Sequence, residues 1–187
     1  MVPIVPDLTQ QPLLTIRAEN PLYGEASISF APTVANILQM TGSDSLSDYG
    51  AGKQRLRIAL EQLGAAPHNY FPYDPVFPEY GSPKPADLVC CIDVLEHIET
   101  EFIDSVIDEL AHITQKFGFF SIHTHPAKKV LDDGRNAHLI QAPPSWWLGK
   151  LISKFEILQL QSEDMGFWVV VGKKTLSPVF NSMGSCH

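Results

Sequence analysis

Apolar residues return along this chain at two alternating spacings, and the alternation predicts an α/β protein. Leu56, Ile58, Ala59, Leu60 and Leu63 share one face of a helix over Gln54 to Leu63, with Gly64 at its expected stop. Phe102, Ile103, Val106, Ile107, Leu110 and Ile113 recur at helical spacing from about Thr100 to a stop at Gly118. Glu101 falls in that helix's first turn, where the helix dipole favours an anion. A short helix over 32–40 begins at Pro32, which suits a first helical turn, and another over 145–153 takes Ser145 as its N-cap. Short strands are predicted at Ser45 to Asp48, Asn69 to Asp74, Asp87 to Ile92, Phe119 to His123, 155–160 and 167–174. DLVCCI makes a short apolar run of the kind a buried parallel strand shows, with Cys90 and Cys91 pointing to opposite faces. The last two strands turn back on each other near Met165 and Gly166. The expected fold is a mainly parallel sheet with helices on both faces and an antiparallel C-terminal strand pair.

Composition narrows this picture. A chain of 187 residues suits one domain with a real core. Residues 1–30 are rich in proline and polar residues and read as an arm or lid, with Tyr23 and Phe30 placed to close over a ligand. The domain is expected over 31–176 and a tail over 177–187. A net charge of -8 excludes a broad basic surface for nucleic acid. Three cysteines, two of them adjacent, make no disulfide framework, and no apolar run reaches the roughly 20 residues of a membrane span. A cytoplasmic protein is expected.

The stretch SDYGAGKQRL makes the first strand-to-helix turn, on the edge where such sheets bind ligands. A Walker phosphate loop needs glycine five residues before Gly52-Lys53 and a hydroxyl after the lysine; Ser47 and Gln54 stand there instead. A dinucleotide loop needs a third glycine where Arg55 stands. What survives is an acid followed by Gly-x-Gly, Asp48-Tyr49-Gly50-Ala51-Gly52, whose glycines let backbone approach a ligand while Asp48 accepts from a cationic amine.

This pattern resembles the first motif of the class I S-adenosylmethionine-dependent methyltransferases. Asp74, ending the second strand in YFPYDP, and the strand and turn ADLVCCIDVLEHI fall where that family has its next motifs. The resemblance covers roughly residues 32–172 and implies a Rossmann-like sheet, S-adenosylmethionine as cofactor, and a domain over 31–176. It implies that Asp48 and the backbone at Tyr49, Gly50, Ala51 and Gly52 face the cofactor's methionine part. Asp74 would take both ribose hydroxyls with Pro75 beside it, and Ile92, Asp93 and Val94 would line the transferred methyl. Lys53 replaces a third glycine common in the family. The proline-rich residues between Asp74 and Asp87 leave the usual third strand reduced or absent, and the acid that often reads the adenine amino group has no clear counterpart.

Two readings of DVLEH stay open. His97 can be a general base, with His138 and His123 as further catalytic candidates. Alternatively, the D-x-x-E-H spacing is similar to metal-binding motifs of ubiquinone-pathway O-methyltransferases and small-RNA 2′-O-methyltransferases. That reading uses Asp93, Glu96 and His97 together and places a divalent metal such as magnesium on Glu96, His97 and a later histidine, His138 first, with His123 and His125 as others. The loop HTHPAKKVLDDGRNAHLIQAPPSWW carries histidines, Arg135, Asn136, Trp146 and Trp147, a mix that suits a sugar or other hydroxylated small molecule. At least one of the two tryptophans is expected in the core. The expected activity is O-methylation of a small molecule or glycan. The alternatives are RNA 2′-O-methylation with a metal, or a non-catalytic cofactor-binding module of the same fold.

Overall fold

The computed structural model describes residues 25–174. Their elements in chain order are α1 (Glu25–Thr41), β1 (Ser45–Tyr49), α2 (Arg55–Gln62), β2 (Asn69–Tyr73), β3 (Ala86–Ile92), α3 (Ile103–Ile113), β4 (Thr114–His123), α4 (Pro144–Lys154), β5 (Phe155–Glu163) and β6 (Gly166–Lys173). Short 3-10 turns occupy Pro78–Tyr80 and Leu95–His97. The six strands form one sheet in the order β2-β1-β3-β4-β6-β5. β1 to β4 run parallel, and β6 is inserted antiparallel between β4 and β5. β2 and β3 lie on opposite sides of β1, so the chain reverses its direction of travel there. At such a switch the connecting segments splay apart and leave a crevice beyond the strands' carboxyl ends.

Cys90 and Cys91 divide the core as their alternation requires. Cys91 packs with Val89, Val94 and Leu95, with the inner faces of α3 and α4, and with Trp147, which is completely buried. Cys90 packs with Leu46, Leu88 and Phe119 against α1 and α2. Trp147 is thus the core tryptophan, while Trp146 stays partly exposed with Lys150 over its ring.

Three local readings change. The first helix does not begin at Pro32 but seven residues earlier, with Pro32 inside it. Ala31, Val34, Ile37 and Leu38 bury one face, and Phe30 meets Phe119 edge-on at 5.4 Å. This packing outweighs the hydrogen bond that Pro32 cannot donate. Residues 25–30 are therefore helix, and the half-buried Phe30 packs against the core; Tyr23 and the rest of the predicted arm lie outside the described residues, as does the tail. Gly118 does not stop α3, which ends at Ile113, with Thr114 starting β4 at once and its hydroxyl donating to the Leu110 carbonyl at 2.7 Å. Gly118 is instead a strand residue where a Cβ would fall 2.6 Å from Phe120 Cζ. Ser145 caps nothing: α4 starts at Pro144 with Pro143 as its N-cap. Among the described residues no strand follows β2 before β3, so the usual third strand is absent and β2 is the sheet's edge. No described helix is long and apolar enough to cross a membrane.

Candidate functional site

Segments leaving β1, β2, β3 and β4 meet at the carboxyl edge of the sheet. The first is the glycine turn. Gly50 has φ of 86°, and its N–H and that of Ala51 donate to the Tyr73 carbonyl at 2.7 and 2.9 Å. A Cβ on Gly50 would fall 2.3 Å from Val94 Cγ2, so only glycine lets the turn lie against the end of β3. Gly52 has φ of 48° and Gln54 of 55°. The left-handed residue that a third glycine would ease is therefore Gln54, one place beyond Lys53.

Asp74 organises the turn from β2. It is 1% exposed, its Oδ2 accepts the Gly52 N–H at 2.9 Å, and its Oδ1 accepts that of Val76 at 2.9 Å. A carboxylate offers two acceptor oxygens, the number that the two hydroxyls of a diol require. Pro75 follows it directly. Tyr80 donates its hydroxyl to the Gly52 carbonyl at 3.0 Å and stacks on Phe77.

Asp48 is also buried, and the Tyr70 hydroxyl donates to its Oδ2. Burial pushes its carboxyl up to about 7, partly opposed by the Tyr70 bond, and the charge of Asp74 adds to the rise. The native state thus holds a proton that the unfolded chain releases near pH 4. Stability present at low pH is therefore lost as pH rises through about 7. Asp48→Asn is expected to reduce that loss, as read from denaturant midpoints between pH 5 and 8; an unchanged slope would contradict the assignment. The Tyr49 side chain points the other way, its hydroxyl donating to Glu109 Oε2 at 2.7 Å, so only its backbone faces the turn.

At the end of β3, Ile92 and Val94 are buried and Asp93 adopts φ of 52°. Ser121, at the same level on β4, holds this strained residue. Its hydroxyl accepts the Asp93 N–H at 3.0 Å and donates to Asp93 Oδ1 at 2.7 Å. Asp93 Oδ2 lies 3.4 Å from His123 Nε2, and this contact raises the imidazole's pKa. Nothing in the sequence pattern singled out Ser121, Tyr70 or Tyr80, because each acts through a partner distant along the chain.

The Leu95–His97 turn carries Glu96 and His97 inward. Glu96 is fully buried; Oε1 accepts the His123 N–H at 3.1 Å, while Oε2 has no hydrogen-bond partner among the described residues. Burial and the charge of Asp93 push its carboxyl upward. His138 arrives from the loop after β4, which Asn136 folds into shape. Its Oδ1 accepts the N–H groups of Ala127 and His138, and its Nδ2 donates to the Ala127 carbonyl. Arg135 ties the loop to Glu99 through two 2.9 Å contacts. The rings of His97 and His138 are 4.9 Å apart, and those of His123 and His138 5.5 Å. His125 contributes its carbonyl to His138 rather than its ring to the cluster.

Glu96, His97 and His138 each offer a ligand atom within 4.8 Å of the others. Nδ1 of His97 sits 2.7 Å from the Ala137 carbonyl, and Nδ1 of His138 meets the His125 carbonyl. With the proton on Nδ1 in both, each Nε2 carries the lone pair, the arrangement that orients histidine toward a cation. A buried carboxylate oxygen without a donor completes a donor set that fits a divalent ion.

No family model matches the chain, and no curated protein matches it in sequence. Solved structures do match in fold. Magnesium protoporphyrin IX methyltransferase of Synechocystis PCC 6803, with S-adenosylmethionine bound, superposes with a TM-score of 0.60 at 16% identity, over 88% of this chain and 98% of that one. An O-methyltransferase-like protein of Nostoc punctiforme gives 0.61 at 14% identity, over 88% and 61%. The mitomycin 7-O-methyltransferase gives 0.58 at 14% identity, over 87% and 60%. The mixed six-stranded sheet with its antiparallel final pair matches the Rossmann-like methyltransferase fold.

Proposed function

We propose that this protein transfers a methyl group from S-adenosylmethionine to an oxygen of a small molecule or glycan. The observation that carries this reading is the junction of the Gly50–Gly52 turn with Asp74, beside a histidine cluster at the same sheet edge. The fold likeness supports it. When bound, S-adenosylmethionine supplies an electrophilic methyl group for in-line displacement. The chain's own contribution is to receive the ribose hydroxyls on Asp74, to press the backbone of Gly50, Ala51 and Gly52 against the methionine part, and to line the methyl with Ile92, Asp93 and Val94. His97, His138 and His123 surround the place where an acceptor hydroxyl must lose its proton.

The convergence of Glu96, His97 and His138 favours a metal-assisted form of this reaction. A divalent cation there would supply Lewis acidity to the acceptor oxygen. Two imidazoles and one carboxylate suit manganese, iron, cobalt or zinc better than magnesium, which prefers oxygen ligands. Methyl transfer from radiolabelled S-adenosylmethionine to panels of glycans, phenols and short RNAs, with and without EDTA, tests both parts. Label in a glycan or phenol is the expected result, and label confined to RNA would overturn the acceptor class. Full activity in EDTA would remove the metal.

A further inference from the structure

We infer that β5 is an interface, at which two copies of this chain pair their β5 strands antiparallel about a two-fold axis through Gln161. The two outer strands of the sheet are built differently. β2 carries Pro72, which has no N–H to offer, and Arg57 and Lys84 lie over its Tyr70 and Phe71 rings. Proline and cations at an edge discourage pairing with a further strand. β5 is the other edge, nine residues long, with neither proline nor cation in it. Among the described residues nothing covers it: Leu158 to Glu163 are all exposed, Leu158 and Leu160 at 53% and 45%. The register with β6 slips at Leu158 and then runs unbroken from Gln159 to Glu163, which leaves a regular edge of open backbone groups. Such groups accept any strand, so the side chains decide which one. A chain of net charge -8 meets its own copy most easily where charge is low, and residues 157–162 are uncharged. With the axis at Gln161, that residue faces its counterpart, Leu160 faces the partner's Ser162, and Glu163 faces the partner's Gln159, a carboxylate acceptor against an amide donor. No like charges are opposed, and every pair recurs across the axis as an isologous contact requires. Gly166 pairs with both His123 and Glu163, so β5 ends at the edge that holds the candidate site. Antiparallel pairing therefore leaves both crevices open, at opposite ends of one continuous sheet.

Analytical ultracentrifugation of the full chain tests this without any ligand. Wild-type protein is expected to sediment as a dimer with Kd of about 10 μM or tighter. Leu160→Lys sets a cation on the edge and is expected to raise Kd at least ~10-fold, while thermal unfolding shows the variant folded because Leu160 is half exposed. Gln161→Cys reports the register: residues directly opposite in an antiparallel pair have Cβ atoms about 4.5–5.5 Å apart, within reach of a disulfide after small adjustment. Mild oxidation is expected to cross-link Gln161→Cys beyond the background of wild-type protein, and Ile58→Cys, on the exposed face of α2, no more than that background. A wild-type protein that is monomeric at about 200 μM overturns the inference. So does a dimer that Leu160→Lys leaves intact, or one in which Gln161→Cys links no better than Ile58→Cys, since the copies then meet elsewhere.

Discussion

Gly50→Ala is expected to cost about 3 kcal/mol of stability and to remove high-affinity S-adenosylmethionine binding. Two independent terms make up that cost. The backbone at φ of 86° is left-handed, where a side chain costs about 1–2 kcal/mol. The added Cβ would sit 2.3 Å from Val94 Cγ2, an overlap of the kind that costs about 1–3 kcal/mol when a packed core must shift. Under the proposed function Val94 lines the methyl, so the shift is expected to reach the cofactor as well as the turn. The double variant Gly50→Ala, Val94→Ala removes the overlap but keeps the dihedral penalty. It should recover stability only in part, as read from denaturant midpoints. If Gly50→Ala unfolds at the wild-type midpoint and binds S-adenosylmethionine normally, the turn does not have the role assigned here.

Manganese, cobalt or zinc added to metal-depleted protein is expected to raise the melting temperature by about 5–10 °C at a hundredfold excess over Kd. Glu96→Gln and His138→Ala are expected to abolish that rise and to lower kcat about 10²- to 10⁴-fold. Glu96 carries the argument because its Oε2 is fully buried without a hydrogen-bond donor among the described residues, a costly state that a cation relieves. His138 is the ligand that the loop must deliver, so Asn136→Ala, which frees that loop, should weaken the rise without removing a ligand. A melting temperature unmoved by all three ions would leave the histidines as bases and hydrogen-bond partners only.

The sheet was legible because its strands carry their own signals. Leu88 to Ile92 read as a strand buried on both faces and are so, and the spacing from Ile103 to Ile113 read as one helical side. The short span between Asp74 and Asp87 left no room for a third strand and helix, and the structure has none among its described residues. Misreadings fell where tertiary packing overrode local propensity: Pro32 lies within a helix whose buried face outweighs it, and Gly118 serves close packing in a strand. For the candidate site, the sequence identified the residue types in DVLEH and the later histidines but not their grouping. Which histidine joins Glu96 and His97 depends on Asn136 and Arg135 folding the loop back, contacts between residues up to 36 positions apart. The position of backbone strain was likewise hidden, since Asp93 at φ of 52° depends on Ser121 across the sheet.

Calorimetric titration of the wild-type protein with S-adenosylmethionine bears most directly on the central claim, with Asp74→Ala as its companion. One-to-one binding at roughly 1–100 μM is expected, in the range of ordinary enzyme affinities, and it should be lost in Asp74→Ala. No binding at millimolar cofactor, or undiminished binding in Asp74→Ala, would contradict the account.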